Sequence, residues 1–129
     1  MVSDFIKVLS VMNKREVGTA YEKKAGEFLE KQGLRILCCN FRNRYGEIDI
    51  VAKDGEVTVF VEVKYRKDTS KGMPEEAVDF RKQQRICRVA DYYRMMHHMG
   101  DFSPVRFDVV AICGKEIRWF RNAFDYIGR

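Results

Sequence analysis

Residues 46–66, GEIDIVAKDGEVTVFVEVKYR, limit the possible folds more than any other stretch of the chain. An alternating run (Glu47, Ile48, Asp49, Ile50, Val51), a turn at Asp54-Gly55 and a second β-rich run over 57–65 predict a β-hairpin. Side chains alternate across a strand, so Val57, Val59, Val61 and Val63 share one face, and Thr58, Phe60, Glu62 and Lys64 share the other. Asp49 and Glu62 lie equally far from the turn. An antiparallel register therefore sets them opposite each other, about 5 Å apart at Cβ. Two carboxylates and a lysine on one patch of an apolar hairpin are unusual.

Around the hairpin the pattern is that of one α/β domain. Asn13 followed by Glu16 resembles a capping box, and Gly33 stops the helix it opens. Val17, Tyr21, Ala25, Phe28 and Leu29 recur at helical spacing and form its core face. Glu22 lies beside them on the row Glu22, Ala25, Gly26, Leu29, so it either faces protein or flanks the core in solvent. Residues 34–41 read as a first strand, and Arg42 to Tyr45 as a basic turn into the hairpin. Asp79 is an N-cap for a second helix over 80–98, with Ile86, Val89, Ala90, Tyr93 and Met96 or His97 as its buried stripe. Residues 105–112 and 116–121 then read as two strands about Gly114-Lys115. The order is helix, three strands, helix, two strands. Residues 13–129 form the expected domain, and residues 1–12 a leader segment of unassigned role.

At 129 residues the chain is long enough for one real core. The net charge of +5 favours polyanionic partners, though weakly. Cys38, Cys39, Cys87 and Cys113 form no CxxC pair, which argues against a zinc site or a disulfide framework. They read as buried, reduced thiols. With no apolar run of membrane-spanning length and no signal-like start, a cytoplasmic protein without a membrane partner is expected.

An E-x-K on a half-exposed strand is ordinarily a surface ion pair. Here both strand faces look partly buried. Asp49 also sits within Ile48, Ile50, Val51 and Ala52, where an unpaired carboxylate is costly. Carboxylates at Asp49 and Glu62 would hold Mg²⁺ or Mn²⁺, the Val63 carbonyl would complete the shell, and Lys64 would orient a water or stabilise negative charge. Glu22 would reach the metal or its water from the first helix.

The spacing D-x12-E-x-K of Asp49, Glu62 and Lys64 resembles the PD-(D/E)XK nuclease superfamily. Glu22 in its G-x3-E helix, FRNRYGEIDIVA at 41–52, VFVEVKYR at 59–66, PEEAVDFRKQ at 74–83 and RFDVVAI at 106–112 together resemble the YraN-like endonuclease-related family. The resemblance implies a restriction-endonuclease-like αβββαβ core similar to archaeal Holliday-junction resolvases. It further implies a mixed central sheet flanked by helices, here with an extra C-terminal strand. It carries Glu22, Asp49, Glu62 and Lys64 as catalytic positions, with the three acids as metal ligands and Glu47 behind them. Asp108 is matched as well, as a buried partner.

The implied activity is metal-dependent hydrolysis of DNA phosphodiester bonds, branched or damaged DNA being the expected substrate and a homodimer the arrangement that would place two sites on two strands. Arg42, Arg44, Arg66, Lys67, Lys71, Lys82, Gln83 and Arg85 are the expected phosphate contacts, reading backbone and shape rather than bases. The alternatives are a binding module of the same fold without chemistry, and a nuclease acting on RNA.

Overall fold

The computed structural model describes residues 13–68, 70, 72–74 and 78–128. The segment 1–12 expected as a leader and Lys71 lie outside the described residues, as do residues 75–77 of the segment before the second helix. The element order is α1 (Lys14–Lys31), β1 (Arg35–Asn43), β2 (Gly46–Asp54), β3 (Val57–Arg66), α2 (Phe80–Met96), β4 (Val105–Cys113) and β5 (Glu116–Phe124). This is the expected αβββαβ order with a further C-terminal strand.

The strands form a single five-stranded sheet in sequence order. Pairing is antiparallel except between β3 and β4, which run parallel because α2 carries the chain back across the sheet. The predicted hairpin closes on the pair Asp54↔Val57, leaving Gly55-Glu56 as a two-residue loop. Gly55 adopts a φ of 59°, which glycine reaches without steric penalty.

The two helices cover opposite faces. On one, Tyr21, Ala25 and Leu29 of α1 pack on Ile50, Ala52, Val59, Val61 and Val63. On the other, Ile86, Val89, Ala90 and Tyr93 of α2 pack on Ile48, Val51, Phe60 and Phe107. The hairpin's valine face is thus α1's bed, and the Phe60 face is α2's.

Local signals explain the helix ends. Asn13 and Glu16 form a reciprocal capping box, with Glu16 N–H donating to Asn13 Oδ1 at 2.9 Å and Asn13 N–H to Glu16 Oε2 at 3.1 Å. Asp79 caps α2 by accepting the Lys82 N–H at 2.9 Å. Two expectations need correction. Met96 and His97 lie at the exposed end of α2 rather than in its stripe, and Cys87 takes a buried place there instead. Of the four cysteines, all free thiols, only Cys87 is buried; Cys38 and Cys113 are half-buried and Cys39 is exposed. Cys38 and Cys39 lie on β1, an outer strand of the sheet, which explains their weaker burial.

Asp108 acquires a clear role. It is fully buried on β4 and accepts hydrogen bonds from Arg106 Nε (3.0 Å), Trp119 Nε1 (2.9 Å) and the Asn122 backbone N–H (2.8 Å). Arg106 in turn pairs with Asp54 at 2.8 Å. The β4–β5 register shifts between Phe107 and Val109, so Asp108 bonds Asn122 through its side chain at an irregular rung. No helix among the described residues is long and apolar enough to cross a membrane.

Candidate active site

The site forms where β2 and β3 come apart. Their regular pairing runs from the turn to Ile50↔Val61 and goes no further. In a continued ladder the next backbone bond to Val63 would come from Ile48. Instead the Val63 N–H donates to Asp49 Oδ2 at 2.7 Å. A side chain has replaced a main-chain acceptor.

The same rung is irregular on its other side. Cys39↔Ile50 and Phe41↔Ile48 pair across β1 and β2, but Asn40 between them has a φ of 56°, a conformation asparagine tolerates better than most residues. The result is a rotation of β2 at Asp49. Ile50 packs beneath α1, yet Ile48, two residues away, packs beneath α2, where simple alternation would keep both on one face. Asp49 stands at this twist.

Around it, carboxylate oxygens of Glu22, Glu47 and Asp49 all lie within 4.8 Å of one another. Glu22 comes from α1, where an Asn40 side-chain hydrogen bond steadies it, and Glu47 from the start of β2. Glu47 pairs with its cross-strand neighbour Arg42 at 3.7 Å. Glu62 stands beside the trio, 5% exposed, with Lys64 Nζ and Lys82 Nζ each 3.4 Å from its Oε1. The family resemblance implies a metal set of Glu22, Asp49 and Glu62 with Glu47 behind them. In the structure, the close trio contains Glu47, and Glu62 is held by two lysines.

The electrostatics follow from this crowding. Burial, followed by the charge of Glu62, pushes the Asp49 carboxyl up to about 8 against the opposing Val63 hydrogen bond, with Glu22 and Glu47 adding to the rise. Burial and then Glu47 also raise Glu22, while Asn40 and Arg42 pull it down. Asp49 and Glu22 therefore both hold their protons more tightly than free carboxyls do. An all-oxygen donor set of this kind fits Mg²⁺ or Mn²⁺, which select carboxylates and retain waters.

The remaining predicted contacts divide. Arg42 and Arg44 lie exposed at the β1–β2 turn, and Arg85 is exposed on α2. Lys82 joins the site itself through Glu62. Lys67 is exposed just past β3, whereas Arg66 is half-buried and donates to the Tyr65 carbonyl at 3.4 Å. Gln83 turns away: its amide donates to the Val78 carbonyl at 3.2 Å, and it lines a hollow with Val109 and Phe120. The residues that spacing alone did not bring forward are Asn40, Tyr45 and Tyr92. Asn40's signal was an asparagine in mid-strand, a residue type depleted there.

Comparison with known proteins places the chain. It matches the model of "Uncharacterised protein family UPF0102" over residues 21–112. A UPF0102 protein of Lachnoclostridium phytofermentans is 48% identical over 117 residues, covering 91% of this chain and 99% of that protein. One from Caldicellulosiruptor saccharolyticus is 48% identical over 119 residues, covering 88% of this chain and all of its own, 100%. The UPF0102 protein YraN of Salmonella agona is 40% identical over 116 residues, 88% of each chain. With Glu22, Glu47, Asp49, Glu62, Lys64 and Lys82 all inside the matched span, the chain belongs to the UPF0102 family.

Proposed function

We propose that this protein is a metal-dependent nuclease that hydrolyses phosphodiester bonds in DNA. The observation that carries the reading is the trio Glu22, Glu47 and Asp49, with oxygens within 4.8 Å, set beside a buried Glu62 that holds two lysines. Structural acids in a sheet are neutralised by fixed donors, as Asp108 is by Arg106 and Trp119. Asp49 has one backbone donor and three acidic neighbours. Such a centre is paired with a cation that comes from solution. The D-x12-E-x-K spacing and its resemblance to PD-(D/E)XK nucleases support the same reading.

Glu22, Glu47 and Asp49 would hold a Mg²⁺ or Mn²⁺ ion. When bound, such an ion supplies Lewis-acid neutralisation of a phosphoryl oxygen and lowers the pKa of a bound water. Asp49, its carboxylate fixed by Val63, sets where the cation sits. Glu62 holds the Lys64 and Lys82 ammonium groups at the rim, where they offset the charge that builds on the phosphate during attack. Arg42 ties Glu47 to the turn.

The test is cleavage of single-stranded, duplex, flap and four-way-junction DNA and structured RNA with Mg²⁺ or Mn²⁺, comparing the unsubstituted protein with Asp49→Asn, Glu62→Gln and Lys64→Ala. Cleavage of DNA that all three substitutions abolish is the expected result. Activity that survives all three overturns the site, and salt-sensitive binding without any cleavage favours a binding module instead.

A further inference from the structure

Beside the carboxylates, across the Arg42–Glu47 rung, the β1–β2 turn and the exposed face of α2 enclose a hollow of about 590 Å³. That lies within the roughly 300–1,000 Å³ typical of small-ligand sites. Arg42, Arg44, Tyr45, Arg88 and Tyr92 are among the residues lining it. A second hollow continues along α2 between Tyr45, Arg81, Arg85 and Arg88. Tyr45 and Arg88 border both, which joins the two hollows along α2.

The composition of this groove is specific. Five arginines line the two hollows against one acid, Asp91. Arg88 is committed to the fold, donating to the Ile127 carbonyl at 2.6 Å and pairing with Asp91 at 3.4 Å. Arg42, Arg44, Arg81 and Arg85 are exposed. Arg81 and Arg85 sit one helical turn apart, an arrangement that costs repulsion unless an anion bridges it.

Between these cations lie two partly exposed rings. Tyr45 is 45% exposed and Tyr92 38%. The Arg44 guanidinium lies 4.9 Å from the Tyr45 ring centroid, with Nη2 2.8 Å from the hydroxyl. Phe41 braces Tyr92 from below, ring to ring at 6.2 Å. A duplex presents phosphates but keeps its bases stacked inside. Exposed rings interleaved with arginines match a chain that offers both phosphates and open base faces.

We infer that this groove binds single-stranded nucleic acid, with bases stacking on Tyr45 and Tyr92 and phosphates held by Arg42, Arg44, Arg81 and Arg85. The inference rests on the nuclease reading only for its purpose: it makes an unpaired segment next to the cleavage centre the feature that selects the substrate. Binding itself needs neither metal nor chemistry.

The test is fluorescence anisotropy with labelled oligothymidylate and with a duplex of equal length, in chelator so that no strand is cut. Tyr45→Ala and Tyr92→Ala each weaken single-strand binding by about tenfold, in line with the loss of one stacked base. Each leaves duplex binding within about twofold, and Tyr45→Phe and Tyr92→Phe retain both, since the ring alone stacks. Single-strand affinity equal to that of the unsubstituted protein in both alanine variants overturns the inference, as does an equal loss for duplex. No oligothymidylate binding by the unsubstituted protein at low salt also overturns it. Asp49→Asn in the same assay separates the two readings. If it binds oligothymidylate normally and the unsubstituted protein cuts nothing, the nuclease reading fails and the groove stands. If cleavage depends on Asp49 while the tyrosine variants bind and cut every substrate at the unsubstituted protein's level, the groove fails and the nuclease stands.

Discussion

Asp49 Oδ2 accepts the Val63 backbone N–H at 2.7 Å, at the rung where β2 and β3 stop pairing. Asp108 does the same thing elsewhere in the sheet, accepting the Asn122 N–H at 2.8 Å at a register shift between β4 and β5. The two aspartates differ in everything else they touch. Asp108 also receives Arg106 and Trp119, and its charge is matched within the fold. Asp49 faces Glu22, Glu47 and Glu62. One aspartate is a structural joint; the other is a joint left electrically incomplete.

That incompleteness has a pH signature. In the folded protein Asp49 titrates near 8, against an ordinary value of 3.8. Between these values the folded state keeps a proton that the unfolded chain has lost, so stability falls as pH rises. In chelator, the protein is expected to lose about 1–3 kcal/mol of stability between pH 5 and pH 8, measured by urea unfolding. Asp49→Asn, which cannot ionise, flattens the slope and is the more stable protein at pH 8.

Cation binding must displace the same proton. Mg²⁺ or Mn²⁺ at a hundredfold excess over its Kd raises stability by about 2.7 kcal/mol. Titration calorimetry in buffers of different ionisation enthalpy detects proton release at pH 7 that diminishes toward pH 9. Asp49→Asn and the double variant Glu22→Gln, Glu47→Gln abolish both the stabilisation and the proton release.

Asp108 behaves in the opposite way. Asp108→Ala leaves Arg106 and Trp119 without their buried acceptor and costs about 3–5 kcal/mol, visible as a lowered Tm. The cation-induced rise in Tm persists in this variant, because none of the trio is touched.

Asp79 links stability to the site. It caps α2 through the N–H of Lys82, whose Nζ reaches Glu62. Asp79→Ala costs about 1 kcal/mol and lowers cleavage beyond the fraction unfolded, because Lys82 loses its fixed first turn. Asp79→Ser restores both, since serine caps equally well.

Much of this arrangement is legible in the sequence, and the limits are physical. Both caps follow from local chemistry, Asn13 with Glu16 and Asp79 at the head of an amphipathic run. The hairpin register follows from the Asp54-Gly55 turn, since a two-residue loop fixes every pair that succeeds it. What strict alternation cannot show is the rotation at Asn40 and Asp49, which places Ile48 and Ile50 on opposite faces and brings Glu47 into the trio. The partners of Asp108 are hidden in the sequence because Trp119 and Asn122 come from a strand whose register shifts. Tyr45 and Tyr92 are ordinary surface tyrosines until the turn and α2 are packed side by side.

The most direct measurement is cleavage of a strand-labelled four-way junction and a flap substrate at pH 8, with and without Mn²⁺, by the unsubstituted protein and by Asp49→Asn. The account predicts metal-dependent nicking by the unsubstituted protein that falls at least about a hundredfold in Asp49→Asn, while the folded fraction of the variant is equal or higher. Cleavage by Asp49→Asn at the unsubstituted protein's rate, or cleavage indifferent to metal, would contradict it.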